Sequence, residues 1–387
     1  MSRRVAIIGV GWYGFKPSIP DLSFREMMFE ASMRAAEAAG VDLRKDVDAF
    51  VSSQEDYWEG IAISDEFAPE PIGGVLRPTF TVAGDGLQGL AQAYMLIKTG
   101  YFDVVLVESH AKPSDILSLD KIYELALDPV NIRPLSPSNP LFTAGLDAVA
   151  YMSRTGLERE DLAFIAVKNR VQGLRNPRAS YAAKISLEEV LEAEAYIYPM
   201  TRYEVAGFTD AAITVILASE DVARRFTDNP VWVSGVGWST ETGTGALAWH
   251  EWGRMKSMRM AADMAYRTAG VKPSQIDLAE VEDRFSFMEP LTLEEARLAP
   301  EGGAAKMARE GVFSPDGSLP VNPSGGSLAM GVALEATGLA RLLEAYLQLV
   351  GAAGPHQVEA TRALVASWRG PPTYTSMAVV LESEDAL

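Results

Sequence analysis

The chain predicts an α/β fold, on three observations. Strand-like apolar runs alternate with helical ones from the N-terminus, a Gly-rich turn opens an apolar helix near residue 85, and the alternation returns after residue 210. Such alternation buries a mainly parallel sheet under helices on both faces. With 387 residues, 48% of them apolar, the chain can bury a large core.

The elements follow in order. Val5-Ala6-Ile7-Ile8-Gly9-Val10 reads as a buried first strand, too short for the apolar region of a signal peptide with its cleavage site. Phe24 to Ala39 carries helical spacing and stops at Gly40, a C-cap residue, and Asp48 to Ser53 reads as the next strand. Residues 56 to 78, rich in Pro, Gly and acids, read as a loop. The stretch Thr81 to Leu90 is a strand-to-helix elbow whose helix runs to Gly100, and Asp103 to Ser109 is the strand after it. From His110 to about Arg202 the pattern changes to helices separated by Pro-rich turns such as 133–140, as an insertion over one face of the core would. Strands resume at Asp210 to Leu217, Val231 to Gly237, Ile276 to Val281 and Met377 to Leu381, which sets a boundary between two halves near Phe226.

A formal charge of -18 argues against nucleic acid or an anionic membrane surface as partner, because either would repel the average surface. No apolar run is long enough to span a bilayer, so a cytoplasmic protein is expected. The chain has no cysteine, and its three histidines show no ligand spacing, so no metal site is expected. Gly9-Val10-Gly11 lacks the third glycine and the acidic partner of a dinucleotide turn and reads as a plain strand end.

A helix N-terminus such as the elbow's stabilises anions, so a thiol there would ionise readily. Thr81-Val82-Ala83-Gly84-Asp85-Gly86-Leu87-Gln88-Gly89-Leu90 resembles the nucleophile motif of the thiolase superfamily, in particular the sterol-carrier-protein-type thiolases, and the nucleophile's place falls on Ala83. The likeness extends through Arg159 to Arg170, Asn176-Pro177-Arg178-Ala179, Thr209-Asp210-Ala211-Ala212, Asp277 to Ser286 and Asn322-Pro323-Ser324-Gly325-Gly326 to Gly331. Where the family writes Glu-x-His-Asp-x-Phe this chain has Glu282 for the His, and the family's base position is Val332. The family's last landmark, a Gly-rich loop before the final strand, falls on Ala366 to Pro372, where only Gly370 matches.

The resemblance implies a thiolase fold, two similar mixed-sheet halves stacked around buried helices. The first half would be 1–225, with a loop domain at about 110–205, and the second 226–387. It further implies a coenzyme A thioester as substrate and a homodimer with the Asp103 to Ser109 strand and the elbow at its interface. A partner would be an OB-fold, zinc-ribbon acyl-CoA-binding protein or a second thiolase.

Thiolysis needs a nucleophile to hold the acyl group and a base to generate it. Ala83 and Val332 can do neither, so standard thiolase activity is not expected. Acidic and aromatic side chains remain at the matched loops, and Glu282, Glu335 and Tyr374 are the candidates for proton transfer, beside Asp85 and Asp283. Each also has a structural reading: Asp85 and Glu335 at helix starts, Glu282 paired with Arg284 or with an arginine of a partner, Tyr374 packed on a strand. For the coenzyme, Lys168, Arg170 and Arg178 with the turn glycines Gly325 and Gly326 are the candidates, although a solvated helix face explains the cations nearly as well. Two functions stay open: carbon-carbon bond chemistry on a CoA thioester without an acyl-cysteine, or an inactive subunit of a thiolase or synthase complex.

Overall fold

A computed structural model describes residues 3–55, 66–119, 141–241, 250–370 and 374–386, with single positions between 121 and 139. Most of the 133–140 turn and residues 56–65 of the expected 56–78 loop lie outside the described residues. The chain opens with β1 (Val5–Lys16), α1 (Phe24–Ala39) and β2 (Ala49–Ser53), then α2 (Pro69–Ile72), β3 (Thr79–Val82), α3 (Gly86–Lys98) and β4 (Val104–Ala111). The insertion carries α4 (Phe142–Thr155), α5 (Arg159–Gln172), α6 (Leu187–Glu192) and the ribbon β5 (Ala195–Ile197) and β6 (Met200–Thr201). Next come β7 (Asp210–Ser219), α7 (Glu220–Phe226), β8 (Val231–Thr240), α8 (Lys256–Ala269) and β9 (Leu278–Val281). A second insertion holds α9 (Met288–Glu295), α10 (Ala304–Arg309) and α11 (Gly326–Met330), and α12 (Thr337–Leu349), β10 (Arg362–Arg369) and β11 (Thr375–Glu382) complete the fold.

The strands join in the order β3-β2-β4-β7-β1-β8-β11-β10-β9, with β1 and β8 meeting antiparallel through Ala6↔Trp232 and Ile7↔Val231. Successive side chains of a strand point to opposite faces, and here both faces are covered. Val5 and Ile7, Val105 and Val107, and Val379 and Leu381 join the central core with Leu87, Leu90, Leu339 and Leu343 of α3 and α12. Ala6, Ile8, Val104 and Leu106 face α1 instead, and Ala378 and Val380 face α8. Helices α3 and α12 therefore lie between the two strand sets, with α1 and α8 outside.

Gly9 and Gly11 do not end the first strand. β1 runs through them, and both are needed for close approach: a Cβ on Gly11 would stand 2.2 Å from the Ala31 carbonyl oxygen of α1. The strand expected at a subunit edge is β4, which is hydrogen-bonded on both sides, to β2 and to β7. Its backbone groups are satisfied within the chain, so it cannot extend a sheet across a dimer; the edges are β3 and β9.

Candidate active site

The elbow places Ala83 on an exposed bend and buries Asp85 as the N-cap of α3. Asp85 Oδ1 accepts from Leu87 N at 2.9 Å, and Asp85 N donates to Gln88 Oε1 at 2.9 Å. The second oxygen accepts from Gly338 N of α12 at 3.0 Å, so one carboxylate terminates both central helices. Gly338 has no alternative, since a Cβ there would lie 2.0 Å from Asp85 Oδ1. Burial pushes Asp85 up to about 6, while its bonds from Leu87 and Gly338, the Ser367 hydroxyl beside it and the Arg284 charge pull it down.

Glu282 leaves β9 where that strand runs parallel to β10 (Val281↔Ala366). Its backbone N donates to Ala366 O at 2.9 Å, Trp368 Nε1 donates to its carbonyl at 3.1 Å, and Trp368 N approaches Oε2 at 3.4 Å. Arg284 Nε stands 3.8 Å from Glu282 Oε1, with its guanidinium 6.0 Å above the Trp368 ring. Burial pushes Glu282 up to about 8; Arg284 opposes the shift and the Asp85 charge adds to it. Glu282 is accordingly a mostly protonated acid at neutral pH. Asp283 has a different task, accepting from Ser327 N, from Leu328 N at 3.4 Å and from Asn169 at 2.6 Å, and so capping α11.

Ala366 to Arg369, expected in a loop, close β10. Their side chains therefore alternate: Ser367 faces the central layer and Asp85, whereas Ala366 and Trp368 join the outer core. Arg369 at the strand end is held by Glu55, with Nη2 2.8 Å from Oε2, and its Nη1 lies 3.6 Å from Glu335 Oε1. Glu335 sits in the 3₁₀ turn Leu334–Ala336 ahead of α12, not in the helix.

Tyr374 does not join this group. It precedes β11, and its hydroxyl donates to Asp147 Oδ2 of α4 at 2.5 Å, where Gly253 N also binds Asp147 at 2.7 Å. The expectation that it shares a cavity with Glu282 fails because Trp368 stands between them, its ring 5.8 Å from that of Tyr374.

Two of the three cations expected at the coenzyme are committed elsewhere. Lys168 Nζ lies 3.0 Å from the buried Glu289, and Arg178 binds Glu344 through Nε at 2.6 Å and Nη2 at 2.9 Å. Although burial works against its charge, bonds from Arg178 and His356 hold Glu344 down to about 2. Gly325 and Gly326 are packing glycines at positive φ: a Cβ would meet Gly173 at 2.6 Å in the first and Asp283 Oδ1 at 2.3 Å in the second. Arg170 alone faces open space, although its guanidinium also donates to the carbonyls of Tyr203, Tyr181 and Val205.

That space is a cleft of ≈ 340 Å³ between the two insertions. Arg170, Arg202 and Val205 to Phe208 line it from the first insertion, Arg284 and Val332 from the second. The extended segment 205–209 holds these walls in register, with Ala206 N bonded to Arg284 O at 2.8 Å and Val332 N to Gly207 O at 2.8 Å. The family's base position thus opens on the same cleft as Arg284, whose Nε lies 3.8 Å from Glu282 Oε1. Trp368 and Asp147 escape sequence reasoning, whereas the expected pairing of Glu282 with Arg284 is found. Arg284 was visible as the cation two residues after Glu282, but Asp147 lies more than 220 residues from Tyr374 and had no local signal.

Two strand-and-helix units enclosing paired helices, with an elbow at the N-terminus of one, define a thiolase-type architecture. The family model described as thiolase C-terminal domain-like matches residues 241–383. The acetyl-CoA acetyltransferase of Methanothermobacter thermautotrophicus is 32% identical over 92% of this chain and 94% of its own. Sterol carrier protein 2 of Gallus gallus is 29% identical over 94% of this chain and 69% of its own. Among solved structures, the Ltp2-ChsH2(DUF35) aldolase shares the fold with a TM-score of 0.83 at 22% identity, covering 99% of each chain. The chain belongs to the thiolase superfamily, among its sterol-carrier-protein-type thiolase-like members. Having no cysteine, it cannot form the acyl-cysteine of the family mechanism. Among the described residues, no helix is long and apolar enough to cross a membrane, and no group of His, Asp and Glu could hold a metal ion.

Proposed function

We propose that the chain binds a CoA thioester in this cleft and makes or breaks a carbon-carbon bond without an acyl-enzyme, with Glu282 as the proton carrier. The observation that carries the reading is the placement of Glu282: buried, raised to about 8, and 3.8 Å from the Nε of Arg284, a residue that lines the cleft. In the cleavage direction a base takes the proton of a 3-hydroxyl group, the bond between carbons 2 and 3 breaks, and its electron pair becomes the thioester enolate. The enolate then takes a proton at carbon 2. A carboxyl half-ionised near pH 8 both gives and takes a proton in this range. Glu335 orients Arg369 in this reading, and Tyr374 secures the start of β11 to α4 through Asp147.

The acetyltransferase relatives support the CoA thioester, and the fold shared with an aldolase supports the bond chemistry. The name Ltp2-ChsH2(DUF35) of that neighbour supports a second protein as partner, and the family resemblance adds the proposal of an OB-fold acyl-CoA-binding subunit or another thiolase, a homodimer and a cytoplasmic place. We take 1–225 and 226–387 as the two halves. The competing reading, an inactive subunit, is favoured by one observation: Ala83 and Val332 leave the family's nucleophile and base positions without chemistry.

The test uses 3-hydroxybutyryl-CoA. Release of acetaldehyde and acetyl-CoA by the purified protein, lost in Glu282→Gln, is expected, with no thiolysis of acetoacetyl-CoA and no acyl adduct in the intact mass. An acyl adduct would refute the mechanism. No turnover, together with co-purification from the native host of a cysteine-bearing thiolase, would establish the subunit reading instead.

A further inference from the structure

A second pocket, of ≈ 290 Å³, opens where β8 ends and α8 begins, and it shares no lining residue with the cleft. A volume at the low end for small-molecule sites limits it to a compact ligand. Glu241 and His250 both line it. His250 Nε2 lies 3.4 Å from Oδ1 of the fully buried Asp147, which also takes the Tyr374 hydroxyl and Gly253 N. Only 6% of the His250 side chain is exposed, and its Nε2 completes no hydrogen bond. A carboxylate at this distance favours the neutral tautomer with the proton on Nε2, which leaves the Nδ1 lone pair as an acceptor.

Glu241 supplies the second acceptor. It caps α8 through Oε1, which accepts from Ser257 N at 2.9 Å and Ser257 Oγ at 3.2 Å, and Oε2 has no partner among the described residues. Burial pushes the Glu241 carboxyl up, with the bonds from Ser257 opposing the shift and the Asp147 charge adding to it. The cations of the lining are committed, Arg254 to Glu301 at 3.1 Å and Lys256 to Glu251. Among the described residues, neither Glu241 nor Asp147 forms an ion pair with a lysine or arginine. The pocket thus holds two acceptors and uncompensated negative charge. An anion meets repulsion there, and a neutral hydroxyl brings one donor and no charge. A charged nitrogen with several N–H donors satisfies both acceptors and balances the carboxylates. We infer that this pocket binds a primary ammonium group, with Glu241 and His250 as its acceptors and the exposed Met260 against its alkyl part. The site is independent of the CoA reading, because Glu282 and Arg284 take no part in it.

Titration with butylammonium chloride, followed by NMR of the imidazole nitrogens, tests this. The chain has three histidines, and His110 and His356 are buried and line neither the pocket nor the cleft. The His250 signals are expected to move to saturation while those of the other two stay in place. Butanol, of the same shape without the charge, should bind at least about tenfold more weakly, and Glu241→Gln should weaken butylammonium by a similar factor, the worth of a charge-assisted hydrogen bond. His250 signals that stay fixed up to the concentration of the supporting salt, or that answer butanol equally, would overturn the inference. So would equal movement of all three histidines, or a loss in Glu310→Gln, at an exposed position, as large as that in Glu241→Gln, since both report only attraction to a chain of net charge -18. The comparison of butylammonium with butanol in the unaltered protein decides the matter even if a variant does not fold.

Discussion

The two halves of the molecule are built alike and used differently. Gly9-Val10-Gly11-Trp12 of β1 recurs as Gly235-Val236-Gly237-Trp238 of β8, and each pair of glycines lets an alanine-faced helix approach: Ala31, Ala35 and Ala39 of α1 in the first half, Ala261, Ala265 and Ala269 of α8 in the second. Strand pairing repeats as well, since β2-β4-β7-β1 and β9-β10-β11-β8 share one sequence of parallel and antiparallel neighbours. What differs is where the chain departs from the repeat, between β4 and β7 in one half and between β9 and α12 in the other, and the cleft lies where those departures meet. Frame and site are thus separable: the repeat supplies rigidity, and the unmatched segments supply chemistry.

The helix starts differ too. α3 is capped by its own Asp85, whereas α12 has no side-chain cap of its own and takes the second oxygen of the same residue. The first half thereby fixes the second at one buried carboxylate.

The largest effect tests the repeat. Gly11→Ala and Gly237→Ala would place a Cβ 2.2 Å and 2.0 Å from helix carbonyl oxygens, so each should cost about 3 kcal/mol or more, the upper part of the overpacking range. Urea unfolding should show similar losses; a large loss in one half only would break the equivalence. Asp85→Ala removes the cap of two helices and should cost about 2 to 3 kcal/mol, against about 1 kcal/mol for Ser23→Ala, which removes the cap of α1 alone. Equal losses would mean that Asp85 serves only α3.

Per pH unit, the change of stability with pH is a smaller effect than the loss at either glycine or at Asp85. Glu282 is raised from 4.5 to about 8, Glu280 from 4.5 to about 7, and Asp85 and Asp283 from 3.8 to about 6, chiefly by burial. Between the ordinary and the raised value the folded state holds the proton that the unfolded state has lost, so the stability these four groups contribute is fully present below about pH 4 and falls as pH rises toward 8. That of Glu344, held down to about 2, is present above about pH 4.5 and lost below it. Glu282→Gln should flatten this slope by up to about 1.4 kcal/mol per pH unit between pH 5 and 8, read from urea unfolding at several pH values. An unchanged slope would mean that Glu282 is ionised in the fold.

Sequence carried the frame well, because burial on both strand faces writes continuous apolar runs at Val104 to Val107 or Ile213 to Leu217, and glycines mark helix ends as at Gly40. It also carried the failed chemistry at Ala83 and Val332, since a missing thiol needs no structure to be noticed. The site was legible only in part. Glu282 was found through its motif, but the bonds that consume Lys168, Arg178 and Tyr374 reach Glu289, Glu344 and Asp147 across 121, 166 and 227 residues, and no local pattern encodes such partners. Gly9-Val10-Gly11 lies inside β1, and only its second copy at Gly235-Val236-Gly237 marks it as a place where a helix packs close rather than a strand end.

Exchange of the hydrogens on carbon 2 of glutaryl-CoA and butyryl-CoA with deuterium oxide, followed by proton NMR, tests the central claim most directly, because it isolates the proton transfer assigned to Glu282 from any carbon-carbon step. The account predicts protein-catalysed exchange that rises with pH and levels near the Glu282 value of about 8, and a loss on the order of a hundredfold or more in Glu282→Gln. Exchange that survives undiminished in Glu282→Gln, or no exchange above the protein-free rate with either thioester, would contradict it.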